Sequence, residues 1–298
     1  MDRVLCFDIG GTMLKYGLGN LQGEILEEHT VPNTILKEKA EGMLKQILGI
    51  YNSYIERGEK IVGMALATAG IVEEGSGLVL EASSENFPGY NNFPLGERLR
   101  KATGLPVTVG NDLNMAALGE YYLGAGQGAN LLVMLAMGTG VGSAIIYRGQ
   151  LIVGKHGATG EVGYHFVSSG LKVDDAASTR GLVNYYAKLS GEPLEKINGK
   201  LIVERVLAGE ELATQALSFM SDNLAEVLVT LAKVVDPDCF VLGGGVMESS
   251  SVVLPFIRKA LAKQNTIDVF KNLDLRPASL GNKAGMYGAL HYFMGERK

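Results

Sequence analysis

Cysteine is scarce in this chain: among 298 residues there are two, Cys6 and Cys239. Each lies in an apolar run that reads as a buried strand, so each reads as a free thiol in a reducing compartment. Basic charge is also short, with 27 Lys and Arg against 32 Asp and Glu and a net charge of -5. That balance leaves no basic footprint for nucleic acid or for an anionic membrane. No apolar run reaches the roughly 18 residues of a membrane span. The N-terminus enters a strand directly, with neither a basic region nor a long apolar stretch, so no signal peptide is expected. These absences point to the cytoplasm. Low-complexity linkers are missing too, and proline is sparse at 8 residues.

Glycine, by contrast, is abundant at 40 residues, which suits many tight turns and close backbone approaches to a ligand. Hydrophobic residues make up 47% and charged residues 20% of the chain, the balance of a soluble globular protein. The length suits two domains of roughly 150 residues each. Strands are expected at Val4–Ile9, Leu14–Gly19 and Glu24–His29, then a helix from Leu36 to about Arg57 carrying Met43, Ile47, Ile50 and Tyr54 at helical spacing. A buried strand follows at Ile61–Thr68, a short helix at Leu95–Thr103 closed by Gly104, and a strand at Pro106–Gly110. Asn111-Asp112 opens a helix to about Leu123, with Asp112 as a candidate N-cap. A second series has strands at Leu131–Met137, Gly142–Tyr147, Leu151–Val153 and Phe240–Leu242. Between the last two lies a long helix, Glu211–Val235, whose expected core is Met220, Leu224, Val227, Leu228, Leu231, Val234 and Val235. The two series suggest two α/β domains, 1–112 and 113–298, facing each other across a ligand cleft. A last helix near the C-terminus is expected to pack back on the first domain.

Three glycine turns end strands. The first is Asp8-Ile9-Gly10-Gly11-Thr12, with Lys15 beyond it. A tight turn of this kind turns backbone N–H groups toward a phosphate, the strand-end carboxylate can hold hydrated Mg²⁺, and Lys15 adds positive charge. An ordinary hairpin is the plainer reading. The second, Gly138-Thr139-Gly140-Val141-Gly142, fails as a dinucleotide fingerprint because Ser143 stands where its last glycine belongs and a strand follows where a helix is needed. It repeats the first design instead, and two such hairpins could hold a triphosphate from both sides. The third is Gly243-Gly244-Gly245-Val246, small enough for an adenine and ribose to lie on the backbone.

In combination and order, these turns resemble those of the superfamily that unites sugar kinases, the Hsp70 ATPase and actin, and within it the ROK family of bacterial sugar kinases and repressors. The resemblance runs from Asp8 to Ala284-Gly285-Met286-Tyr287-Gly288-Ala289. It implies an α/β, two-domain, actin-like ATPase fold of the ribonuclease H-like kind with an interdomain cleft. It also implies ATP and Mg²⁺ as cofactors, and Gly243, Gly244 and Gly245 at the adenosine. Asn111-Asp112 matches the family's Asn-Asp pair, in which the Asp is the catalytic base and the Asn binds sugar. A carboxylate there can take the proton of a hydroxyl attacking a γ-phosphoryl group. Glu161 in Gly160-Glu161-Val162-Gly163-Tyr164 matches the family's sugar-binding Glu, and Gly70 and Asn86 match positions bordering the sugar.

The chain departs from the family pattern around this segment. The family's His is Tyr164 here, with His165 shifted by one. No cysteine lies between Ser168 and Ser178, so the family's zinc is not expected. Asp174, or else its neighbour Asp175, stands where many members place a second sugar-binding Glu. His29, His156 and His291 read as structural or surface residues. The whole reads as an ATP-dependent sugar 6-kinase. The expected acceptor is a β-glucoside such as cellobiose, because Tyr164 can pack on a second ring, Asp174 or Asp175 is shorter than Glu, and Ala177-Ser178-Thr179-Arg180-Gly181 resembles the β-glucoside kinase branch. Glucose and N-acetylmannosamine remain alternatives. A repressor of the family is the rival of another class, but the first phosphate motif begins at residue 8, which leaves no expected room for a DNA-binding helix-turn-helix; a sugar sensor without catalysis is a third reading, against which the intact Asn111-Asp112 pair argues. A sugar is the expected partner, with neither nucleic acid nor membrane, and a homo-oligomer (dimer or higher) is expected.

Overall fold

The structure is a computed structural model that describes residues 1–296. The chain forms two compact units. One comprises Met1–Gly124, Leu151–Thr159 and the C-terminal segment from Leu280; the other comprises Ala125–Gln150 and Gly160–Ser279.

The first unit runs β1 (Asp2–Ile9), β2 (Met13–Asn20), β3 (Ile25–Pro32), α1 (Ile35–Glu56), β4 (Lys60–Thr68), β5 (Ile71–Val72), β6 (Val79–Glu81), α2 (Leu95–Thr103), β7 (Val107–Asn111) and α3 (Asp112–Leu123). Its sheet has the order β3-β2-β1-β4-β7. The first three strands form an antiparallel meander, and β4 and β7 run parallel to β1. In the middle of β1, Val4 to Phe7 are buried on both faces, the pattern of a strand covered on each side. On one face Leu5, Phe7 and Ile9 join Ile35, Met43 and Ile47 in one core.

In α1 the expected helix is interrupted at Lys39, whose φ is 60°. The next amide, Ala40 N–H, donates to Pro88 O at 3.1 Å instead of into the helix. α2 ends where expected: Gly104 takes a left-handed conformation and its N–H closes onto Arg100 O.

The second unit runs β8 (Leu131–Met137), β9 (Val141–Tyr147), β10 (Gln150–Leu151), α4 (Val173–Ala176), α5 (Thr179–Ser190), α6 (Gly199–Leu207), α7 (Glu211–Val235), β11 (Cys239–Gly243), α8 (Ser250–Ala262) and β12 (Leu275–Pro277). Its sheet order is β10-β9-β8-β11-β12, with β9 antiparallel and β11 parallel to β8. Along α7 the buried stripe is Ala213, Leu217, Met220, Leu224, Leu228 and Ala232. Val234, expected in the core, is 76% exposed, and Leu231 and Val235 are only half-buried. Val234 lies two residues beyond Ala232, and at ~100° per residue that turns it to the far side of the helix.

α9 (Ala284–Gly295) returns to the first unit, packing on α3, β4 and β1. The sheet face beneath it is built of small residues. A Cβ on Gly63 would lie 2.0 Å from Phe293 Cζ, and one on Gly19 would lie 2.7 Å from Leu290 Cδ2. Among the described residues, no helix is long and apolar enough to cross a membrane.

Candidate active site

Register decides what gathers at the ends of the strands in the first sheet. Asp8 on β1 pairs with Ala67 on β4, and Ile9 with Thr68. Ala67 pairs in turn with Gly110 on β7, and Thr68 with Asn111. Asp8, Thr68 and Asn111 therefore arrive together at the carboxyl ends of three parallel strands, the usual binding edge of an α/β sheet.

The first glycine turn is held from within and from outside. Gly10 N–H donates to Met13 O at 3.0 Å. Asn33 Nδ2 donates to Gly10 O at 2.7 Å, and Asn33 N–H donates to Thr12 O at 2.8 Å. Lys15 Nζ reaches Asp8 Oδ2 at 2.9 Å and Asn282 O at 2.9 Å, so its charge sits against Asp8. Gly285 passes close by: a Cβ there would lie 3.3 Å from Asp8 Cγ. The Asn86 loop packs beside the same turn, since a Cβ on Gly11 would lie 3.3 Å from Asn86 O. Asn86 itself is exposed.

Asn111, not Asp112, is the N-cap of α3: its Oδ1 accepts from Asn114 N–H at 3.0 Å. Asp112 is the first helical residue because Asn111 keeps the extended conformation of the strand. The Asn111 amide also donates to Gly70 O at 3.0 Å, which ties the loop after β4 to the end of β7. Gly70 has φ 101°, and a Cβ there would lie 2.4 Å from Glu81 O, so only glycine fits. Asp112 Oδ1 accepts from Leu113 N–H at 2.8 Å. Asp112 is exposed, so a ligand can reach it, yet the protein packed about its carboxyl strips enough water to raise its pKa above the ordinary value. The negative charge of Asp8 pushes the same way, and the Leu113 N–H pulls against both. Behind it, Tyr90 OH and Thr68 Oγ1 share a buried hydrogen bond of 2.8 Å.

In the second unit the Gly138–Val141 turn follows β8, and the Gly243–Gly245 turn follows the neighbouring β11. A Cβ on Gly244, whose φ is 96°, would lie 2.1 Å from Met137 O, so the third turn lies against the start of the second. Gly138 N–H donates to Gly140 O at 2.9 Å, closing the second turn. Thr139 is exposed.

Glu161 precedes, and Tyr164 ends, a short 3-10 turn, Val162–Tyr164. Both are exposed, and Tyr164 is 67% so, with Lys172 Nζ at 5.7 Å from its ring centroid. Asp174 and Asp175 part company. Asp175 is paired at the surface with Arg180 at 3.6 Å, whereas Asp174 Oδ1 accepts from Val141 N–H at 2.7 Å.

Several of these supports left no mark in the sequence pattern. Asn33, Thr179 and the N–H of Arg180 hold backbone groups at the first and second glycine turns. Only the Ser178-Thr179 pair before α5, a helix-start signal, could have drawn attention. Of the histidines, His291 is half-buried and stacked on Tyr122 with centroids 4.5 Å apart. Both cysteines are free and buried.

Residues 4–296 match the family model described as ROK family. A β-glucoside kinase from Klebsiella pneumoniae is 32% identical over 98% of this chain and 96% of its own length. Among solved structures, a ROK family glucokinase from Streptomyces griseus, in complex with glucose and AMPPNP, superposes with a TM-score of 0.79. It is 30% identical and covers 97% of this chain and 98% of its own. A ROK hexokinase from Thermus thermophilus gives a TM-score of 0.80 at 27% identity, covering 99% of this chain and 100% of its own.

Proposed function

The chain belongs to the ROK family and has the actin-like two-domain fold of its structural neighbours, and on that premise we propose that it is an ATP-dependent sugar kinase acting on a primary 6-hydroxyl. One observation carries the reading: Asp112 is a reachable carboxylate of raised pKa, set at the start of α3 beside Asn111 and within the field of Asp8. Such a group can take the proton from a hydroxyl as its oxygen attacks the γ-phosphoryl group.

The placement of the residues and the family resemblance support the following roles. Asp112 accepts the proton. Asn111, held by the cap and by Gly70 O, keeps Asp112 in register and offers its remaining amide valences to a sugar hydroxyl. Asn86 and Gly70 border the sugar on the same strand-end edge. Glu161 accepts from further sugar hydroxyls, and Tyr164 presents an open ring face to a sugar ring. With the Gly10 and Gly138 N–H groups closing their own turns, the remaining N–H groups of the Gly10–Thr12 and Gly138–Gly140 turns present to the phosphates, and Gly243–Gly245 receives the adenosine. ATP use is supported by the neighbour that binds AMPPNP.

Asp8, one carboxylate at a strand end beside the first phosphate turn, fits a Mg²⁺ that keeps most of its waters, as this ion does. When bound, that ion neutralises charge on the phosphates. Lys15, paired to Asp8, places a second positive charge at the same turn.

The proposed acceptor is a β-glucoside, phosphorylated at the 6-hydroxyl of its non-reducing glucose. One feature of the structure supports it: the exposed Tyr164 ring. The similarity to the Klebsiella β-glucoside kinase agrees with this, while the glucokinase neighbour keeps a monosaccharide as the alternative outcome. The test is kcat/KM for cellobiose, gentiobiose, glucose and N-acetylmannosamine under one condition. A disaccharide should lead. A free monosaccharide ahead by tenfold, about 1.4 kcal/mol of transition-state preference, would end the β-glucoside reading. Failure of all four sugars to draw phosphate from ATP would end the kinase reading.

A further inference from the structure

The carboxylate of Asp174 is enclosed by two glycines from two different segments. A Cβ on Gly140, in the second phosphate turn, would lie 2.6 Å from Asp174 Oδ1, and one on Gly163, in the segment of Glu161 and Tyr164, would lie 2.2 Å from it. Between them Oδ1 accepts the Val141 N–H at 2.7 Å, a hydrogen bond strengthened by the charge on the acceptor. The six residues that follow extend the grip. Ser178 Oγ donates to Asp174 O and also caps α5, accepting from Gly181 N–H at 2.9 Å. Thr179 Oγ1 donates to Met137 O at 2.8 Å, and Arg180 N–H donates to Gly138 O at 3.2 Å. Three backbone groups of one phosphate turn are thus held from residues 174–180, and Asp174 makes the one bond of the three that carries a full charge.

Resting on the kinase reading above, we infer that Asp174 is a positioning residue for the second phosphate turn and not a sugar contact. A phosphate cradle works only when its N–H groups keep their directions. Unassisted, a glycine turn wanders through many backbone conformations, and Asp174 fixes Val141 at the point where the turn re-enters β9. Because the same carboxylate fills the space left by Gly163, the segment bearing Glu161 and Tyr164 shares its footing with the phosphate turn. Shape decides the residue type. One more methylene, as in Glu, has no room between Gly140 and Gly163.

The experiment compares Asp174→Ala, Asp174→Asn, Asp174→Glu and Gly163→Ala with the wild type. It uses steady-state kinetics on the best acceptor, and calorimetric titration with AMPPNP in the presence of Mg²⁺. Asp174→Ala should raise KM for ATP and weaken AMPPNP by about tenfold, the scale of one charged hydrogen bond. KM for the sugar should stay within about twofold, well under the effect of a lost hydrogen bond. Asp174→Asn keeps an acceptor and should restore most of the nucleotide affinity, whereas Asp174→Glu should not. Gly163→Ala, although it lies in the segment assigned to sugar, should reproduce the nucleotide defect. The inference is overturned if KM for the sugar rises while ATP is unaffected, if Asp174→Glu matches the wild type, or if Asp174→Ala changes neither constant. AMPPNP binding reads the turn without any acceptor, so it separates this inference from the kinase reading. If the wild type binds AMPPNP but phosphorylates no sugar, the kinase reading fails and the titrations still judge Asp174. If the wild type does not bind AMPPNP, both fall.

Discussion

In the proposed role of base, Asp112 answers two opposed demands, since a base must be ionised to work and its surroundings disfavour the ion. Replacing it with Asn should lower kcat by ~10²–10⁴-fold, the usual worth of general-base catalysis, while sugar binding survives through the amide. Retention of more than half the wild-type turnover would remove Asp112 from that role. The raised pKa sets the sign of two pH effects. Turnover should fall as pH drops through an apparent pKa above the ordinary carboxylate value of about 3.9. Stability runs the other way: the folded state holds this proton more tightly than the unfolded chain, so ionisation costs stability above the folded pKa and costs nothing below the unfolded one. Asp112→Asn should therefore melt higher than the wild type at neutral pH, and the two should converge as pH falls. Thermal melts from neutral pH to below pH ~4 read this directly. A variant that melts lower than the wild type at neutral pH would show that the Leu113 N–H contact outweighs the lost hydration. Asp8→Ala makes a separate test, because it removes the carboxylate paired with Lys15 beside the first glycine turn, the proposed Mg²⁺ position. Turnover should require far more Mg²⁺, with KM for the sugar little changed; an unaltered Mg²⁺ profile would leave Asp8 a structural role alone.

Helices α3 and α9 touch backbone to backbone. A Cβ on Gly288 would lie 1.6 Å from Met115 O, and one on Gly119 would lie 2.4 Å from Ala284 O. This contact sets α3, and with it Asp112, against the sheet end that carries Asp8. Gly288→Ala forces the two helices apart and should cost about 1–3 kcal/mol, as overpacked cores do. It should also lower kcat, because α3 moves. Gly49 in α1 is the matched control, since nothing lies within 4 Å of its missing Cβ. There Ala should stabilise by about 0.5–1 kcal/mol through helix propensity alone. Denaturant unfolding of both variants gives the comparison; a neutral Gly288→Ala would mean that the helices can separate freely. The same contact explains why α9 is hard to read from its sequence. It is packed on α3 and on the sheet, so its apolar residues surround it and show little helical periodicity. α7, with one buried stripe, declares itself from Glu211 to Val235.

For the molecule as a whole, the two sheets share one design: a hairpin whose glycine turn follows the central strand, and two further strands parallel to that strand. Elemental analysis should find no stoichiometric zinc, since Ser168 to Ser178 contains no thiol and Cys6 and Cys239 are both buried in strands. One zinc per chain would refute this. The hydrophobic runs, the glycine turns after strands and the Asn-Asp pair are local features legible in the chain alone: periodicity and turn chemistry act within a few residues, and family membership could be read from their order. That Asn111 and not Asp112 takes the cap came from the fold, because the strand register brings Thr68 and Gly70 to Asn111. The fold also decided that Asp174 turns to Val141 while its neighbour Asp175 faces Arg180 at the surface. These outcomes depend on groups tens of residues apart arriving at one place, and a linear pattern carries no signal of which neighbour will be there to accept or donate a hydrogen bond.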